Sequence, residues 1–263
     1  TGRLKGLMKA KRTIGERSGH GTIRACGIFD VITMNAPHFA SPLAAVQMAP
    51  KDPILGVTET FNADQNPNKV NLGVGIYYDD SGKVPLLECV RRAELQLVEK
   101  SAPRGYLPID GLPVYDRAVR ELVFGADSVA VKENRVLTLQ TLGGTGGLKI
   151  GADFLRRLLP QSQLWISDPS WENHRALFEN AGFTVNTYPY YDATSHGIDF
   201  AGMMQTLKAL SAGSIVVLHA CCHNPTGVDL TAAQWTEVID VVVSRGLMPF
   251  VDIAYQGFGD GID

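Results

Sequence analysis

The sequence predicts an α/β fold of three layers, α/β/α, built on a mostly parallel sheet. Two observations carry this. From residue 85 onward, short runs rich in Val, Ile and Leu alternate with amphipathic stretches of helical length, and strands separated by helices imply βαβ crossovers. The strand-like runs are apolar throughout, as strands covered on both faces are. With 263 residues, 45% hydrophobic and 19% charged, the chain has ample material for a core.

Taken in order, "PLLECVRRAELQLVEK" sets Leu86, Val90, Ala93 and Leu97 on one helical stripe, with Pro85 near its start. "LPVYDRAVRELVFG" is a second amphipathic helix, stopped near Gly125. "RVLTLQT" reads as a buried strand, followed by the glycine-rich turn "LGGTGG" and the helix "LKIGADFLRRLLP". The strand "QLWISD" runs into "PSW", and "ENHRALFENAG" is a helix closed by Gly182. "FTVNTYPY" is a strand, "DFAGMMQTLKALSAG" a helix, and "SIVVLHA" a strand. "TAAQWTEVIDVVVSRG" opens on a capping box, Thr231 to Gln234, and ends at Gly246. "LMPFVDIAY" is the last strand, and it lacks a helix to cover it.

Domain organisation follows from composition. Residues 1–33 are basic and poor in acids, without an apolar signal core, and read as a leader; a transit peptide or translated sequence upstream of Met34 are the readings open there. The expected division is 1–47 leader, 48–84 an irregular N-terminal arm, and 85–263 the α/β body. The net charge of −3 offers no excess of cations for nucleic acid, and no apolar run has the length of a membrane span. The four cysteines, Cys26, Cys89, Cys221 and Cys222, form no CxxC pair, so reduced thiols in a cytoplasmic protein are expected.

Open α/β sheets bind ligands at the carboxyl ends of their strands. After "RVLTLQT" comes Gly143-Gly144-Thr145-Gly146-Gly147, which suits either a phosphate cradle at a helix N-terminus or a tight packing turn. It is not a nucleotide P-loop, because Leu148 separates Gly147 from Lys149 and no Ser or Thr follows the lysine. Trp171 follows the next strand, suited to stacking on a flat ligand or to half-burial at a rim. His174, three residues later, reads as structural. Asn224 lies in the "HNPTG" turn, and Asp252 ends an apolar strand with Tyr255 just beyond. A carboxylate in that place is costly without a partner. A cradle, an indole, an amide, a buried carboxylate and a phenol together suit a phosphorylated, protonated aromatic cofactor with a ring oxygen, as pyridoxal 5'-phosphate is. The neighbouring "HACCH" resembles a metal cluster, but successive strand residues face opposite ways, and no second cluster has zinc spacing. The cysteines are therefore expected to be packing, with no metal, and a cis Asn224–Pro225 bond is expected in the turn.

The segments "NLGVGIYYDDSGKVP", "GYLPIDGL", "LQTLGGTGGLKIGADFL", "SDPSWENH", "CCHNPTG" and "DIAYQGFG" resemble, in order, those of the fold-type I pyridoxal-phosphate aminotransferases, aspartate/aromatic subgroup. "YLPIDGL", "TLGGTG", "DPSWENH" and "TYPYYD" are more similar to bacterial aromatic-amino-acid (tyrosine) aminotransferases. The resemblance implies an incomplete large domain of that fold, an enzyme of amino-acid metabolism, and a homodimer when full length. It implies that Gly144 and Thr145 bind the phosphate, that Trp171 stacks on the ring, and that Asp252 pairs with the ring N–H⁺, backed by His174. Tyr255 and Asn224 would hold the ring oxygen. Asn224, Trp171 and Gly75 would meet an amino-acid or 2-oxo-acid substrate, and Tyr106 would reach the partner subunit's cofactor phosphate. Gly143 stands where the family often has serine. The Schiff-base lysine of the family is missing, since no lysine follows Lys208. The chain as given is therefore expected to be inactive, the alternative being a non-catalytic, lysine-free cofactor-binding module.

Overall fold

The computed structural model describes residues 41–47, 55–70, 75–259 and 261–262. Most of the expected leader, with Cys26, and parts of the expected arm lie outside them. The chain divides into two compact units, one through Ser101 and one from Ala102 onward. In the first, a short 3-10 helix (Pro42–Ala45) precedes α1 (Leu55–Ala63) and α2 (Glu88–Lys100). Helix α2 begins three residues after Pro85, and none of its side chains is buried.

The second unit runs α3 (Pro113–Phe124), α4 (Val129–Lys132), α5 (Gly143–Leu158), β1 (Leu164–Asp168), α6 (Glu172–Asn180), β2 (Val185–Pro189), a two-stranded ribbon of β3 (Tyr191–Asp192) and β4 (Gly197–Ile198), α7 (Phe200–Ala209), β5 (Ile215–His219), α8 (Ala232–Arg245) and β6 (Met248–Asp252). The main sheet has the order β2-β1-β5-β6, and every pairing in it is parallel. The chain steps outward from β1 to β2, then crosses back over β1 to β5 and on to β6. Strand order thus reverses between β1 and β5, which opens a crevice at their carboxyl ends.

The period-two alternation of strand side chains divides the core. Leu164, Ile166, Ile215 and Val217 point to one face, where they pack with Ala152 of α5 and Phe178 of α6. Val216, Leu218 and Tyr188 point to the other, against Met203, Met204 and Leu207 of α7 and Val238, Val241 and Val242 of α8. This is the expected three-layer arrangement. Helix α8 carries the expected capping box: the Thr231 side chain accepts from Gln234 N–H, Gln234 reaches back to the Thr231 backbone, and Gly246 ends the helix at φ +62°.

Two expectations need correction. The run Arg135–Thr141, expected as a buried strand, pairs with no strand among the described residues. Leu137 and Leu139 are exposed there, and the Gln140 backbone N–H donates instead to Asp110 O at 2.8 Å. An apolar run becomes a strand only where a neighbouring ladder takes up its N–H and C=O groups, and among the described residues no strand lies beside this one. The glycine-rich segment, expected as a turn before a helix, forms the first turn of α5 itself, with Gly143 at φ +64°. In strand β6, the last among the described residues, the apolar side chains Met248 and Val251 are exposed.

Candidate active site

Because the sheet is parallel, the carboxyl ends of β1, β5 and β6 share one edge, and the side chains just beyond them converge. Gly144, Leu148, Trp171, His219, Cys221, Cys222, Asn224, Asp252, Ala254 and Tyr255 line a single cavity there. Five residues expected from the sequence, Gly144, Trp171, Asn224, Asp252 and Tyr255, are thus brought together. Thr145 lies in the same helical turn as Gly144, exposed. Leu142 caps α5 with no side-chain hydrogen bond; the Gly143 N–H donates to Thr141 O at 3.1 Å, while the next N–H groups of that turn are open to an acceptor from outside. Tyr106 is fully exposed and is not among the cavity residues. Gly75 belongs to the first unit, in an exposed stretch.

His174 is fully buried, and its Nε2 lies 2.8 Å from Asp252 Oδ2. The direction of that bond can be traced from a backbone group. Asn224 N–H donates to His219 Nδ1 at 3.3 Å, which leaves the single proton of a neutral His219 on Nε2. That nitrogen donates to Ser170 Oγ at 3.2 Å, and Ser170 in turn donates to His174 Nδ1 at 2.9 Å. His174 therefore carries its proton on Nε2 and donates it to Asp252. A chain of four side chains aims a carboxylate into the cavity. The hydrogen bond from His174 holds the Asp252 carboxyl below the usual range, against the opposing effect of burial. The Trp171 ring stands edge-on to His174 at 5.4 Å between centroids.

Sequence reasoning missed much of this support. Ser170 carries no local sequence signal, and His219 and His223 stand in the sequence only as part of the metal-like "HACCH" run. His223 stacks on Tyr190 at 3.9 Å between centroids, with Ser167 Oγ 2.9 Å from its Nε2 and Thr226 Oγ1 2.8 Å from its Nδ1. It is a buried core histidine, and among the described residues no group of three His, Cys, Asp or Glu is placed to hold a metal. Asp229 closes the loop after β5, its two oxygens accepting Cys222 N–H at 2.6 Å and His223 N–H at 2.8 Å. The Asn224–Pro225 bond is cis, as expected, and so is Asp168–Pro169.

The cysteines are a correction. They were expected to point to opposite faces, yet both line the cavity. Strand β5 ends at His219, and Cys222 adopts a left-handed backbone at φ +48°, so strand alternation does not reach them.

Burial, reinforced by the nearby His174, brings the His219 imidazole down to about 4. Burial and then His219 bring His223 down to about 3. Both folded values lie below the unfolded value of 6.5. The stabilisation from keeping them neutral is thus complete above about pH 6.5 and is lost as pH falls toward 4 and 3. Urea midpoints measured across that window should fall steadily with acid, and a flat profile between pH 6.5 and 4 would contradict the burial of these rings.

A parallel α/β domain whose strand ends present a carboxylate, an indole, an amide and a helix N-terminus defines the class. The Aminotransferase class I and II family model matches residues 67–263, and the chain belongs to that family. It is 60% identical over 223 residues to an aspartate aminotransferase of Pseudomonas aeruginosa, covering 85% of this chain and 56% of that protein. It is 53% identical over 215 residues to the aromatic-amino-acid aminotransferase of Escherichia coli strain K12, covering 81% of this chain and 54% of that protein. A solved aromatic-amino-acid aminotransferase of Burkholderia pseudomallei, covalently bound to pyridoxal phosphate, superposes with a TM-score of 0.82 at 61% identity, over 84% of this chain and 56% of that one. The chain thus spans about half the length of the relatives it matches.

Proposed function

We propose that this chain forms the pyridoxal-phosphate-binding part of an aminotransferase that moves an amino group between an aromatic amino acid, aspartate or glutamate and a 2-oxo acid. The observation that carries it is the Ser170–His174–Asp252 chain aimed into a cavity also lined by Trp171, Asn224 and Tyr255. The residues fit the cofactor. An ionised Asp252 matches a ring N–H⁺, Trp171 offers a flat face, and Asn224 and Tyr255 offer donors for a ring oxygen. At Gly144 an added Cβ would meet nothing within 4 Å, so the start of α5 is open enough for a phosphate group, with Thr145 beside it. When bound, the cofactor supplies an electron-withdrawing protonated ring. The protein's part is to keep that ring protonated through Asp252, to clamp its plane with Trp171, and to hold a substrate carboxylate with Asn224.

Gly75 as a substrate contact, and Tyr106 as a phosphate contact supplied across a homodimer, complete the reading. So do a cytoplasmic location, in keeping with free thiols, and the division into leader, arm (48–84) and cofactor domain (85–263). Among the described residues no helix is long and apolar enough to cross a membrane.

A second reading has its own support: among the described residues no lysine lines the cavity. The chain as it stands then holds the cofactor without a covalent bond and does not turn over. Calorimetric titration should give one saturable site per chain for pyridoxal phosphate and much weaker binding of pyridoxal without its phosphate. Absence of saturable binding would refute both readings. Amino transfer by a chain extended to its relatives' length would decide for the enzyme.

A further inference from the structure

Cys221 and Cys222 are not among the residues proposed above to hold the cofactor, yet both are free thiols on the wall of that cavity. The loop that carries them is held by the two Asp229 hydrogen bonds and by the left-handed turn at Cys222. It places both cysteines, adjacent in the chain, on the wall of one cavity. We infer that Cys221 and Cys222 are a preorganised vicinal dithiol that captures a trivalent organic arsenical at the mouth of the cofactor cavity.

Three arguments select that ligand class. Thiols choose soft centres. Zinc needs about four ligands, and no group of three candidate ligands exists among the described residues. A direct disulfide is disfavoured, since consecutive Cα atoms are about 3.8 Å apart across a trans peptide whereas ordinary disulfides span about 4.4–6.8 Å. A single bridging atom relieves that mismatch. The reaction needs no oxidant. An arsenoxide R–As=O takes both thiols, two As–S bonds form, the As–O bond is lost, and the two thiol protons leave with the oxygen as one water. Burial raises the Cys221 thiol, which keeps that thiol protonated at neutral pH and slows its competing alkylation.

The test uses phenylarsine oxide with the full chain, bearing Cys26→Ser and Cys89→Ser, and reads intact mass. One adduct per chain is expected, resistant to 2-mercaptoethanol and released by 2,3-dimercaptopropanol, and lost in either Cys221→Ser or Cys222→Ser. Should those variants fold poorly, iodoacetamide mapping of the arsenical-treated protein replaces them, with both cysteines expected to be protected. An adduct that survives in either serine variant, or that 2-mercaptoethanol removes, overturns the proposal. The competition arm alone rests on the cavity being the cofactor site: pyridoxal phosphate should slow labelling. Saturable cofactor binding without any slowing overturns the placement of the thiols in the cavity. Labelling with no cofactor binding supports the dithiol and counts against the function proposed above.

Discussion

Asp252→Ala should weaken pyridoxal-phosphate binding by roughly 10- to 100-fold, the largest effect expected of any single change in the cavity. A hydrogen bond to a charged group contributes about 1.5–3 kcal/mol, and each ~1.4 kcal/mol is tenfold in affinity. The variant also leaves the fully buried His174 without the acceptor for its Nε2 proton, so stability should fall as well, by about 1–3 kcal/mol. Asp252→Asn separates the two effects. Its amide oxygen still accepts from His174, while its neutral charge no longer favours a protonated ring. Titration calorimetry should therefore show weak binding in both variants, and urea unfolding a lasting stability loss only in the alanine. Wild-type affinity in Asp252→Asn would show that the carboxylate is not the ring's partner.

Phe178→Ala should be the most damaging core substitution, at about 3–5 kcal/mol. Phe178 is fully buried, and its ring meets Phe183 at 6.3 Å and Phe250 at 5.3 Å between centroids, both edge-on. It therefore ties α6 to β6 through Phe250, which lies two residues before Asp252. It also sits one helical turn after His174 on α6. A loss of that size is a large share of the ~5–15 kcal/mol that holds a typical domain together. A urea midpoint close to wild type would mean that the α6 face collapses without leaving a cavity. Weakened cofactor binding alongside instability is also expected, since both partners of the His174–Asp252 bond rest on elements that Phe178 joins.

Most of the fold could be read from the chain because its signals are local. The capping box at Thr231 and Gln234 and the stop at Gly246 are matters of a few adjacent residues. The apolar runs Leu164–Asp168, Ile215–His219 and Met248–Asp252 are strands because they lie side by side. Arg135–Thr141 has similar composition and is not a strand. Its local pattern carries no information about whether a neighbouring ladder is present.

The candidate site divides along the same line. Trp171, Asn224, Asp252 and Tyr255 were visible in the sequence because each follows the end of an apolar run, where an open parallel sheet presents its ligands. Of the relay only the His174–Asp252 link was expected, from the resemblance; Ser170 and His219, from the ends of β1 and β5, join it only when β1, β5 and β6 lie in register. The cysteine pair inverted its sequence reading for the same reason. Alternation holds for paired strand residues, but Asp229, seven residues beyond Cys222, bends the loop out of that pattern. The sequence by itself determined which side chains stand at the strand ends. The tertiary structure decided which of them touch, because hydrogen bonds and packing join residues far apart along the chain.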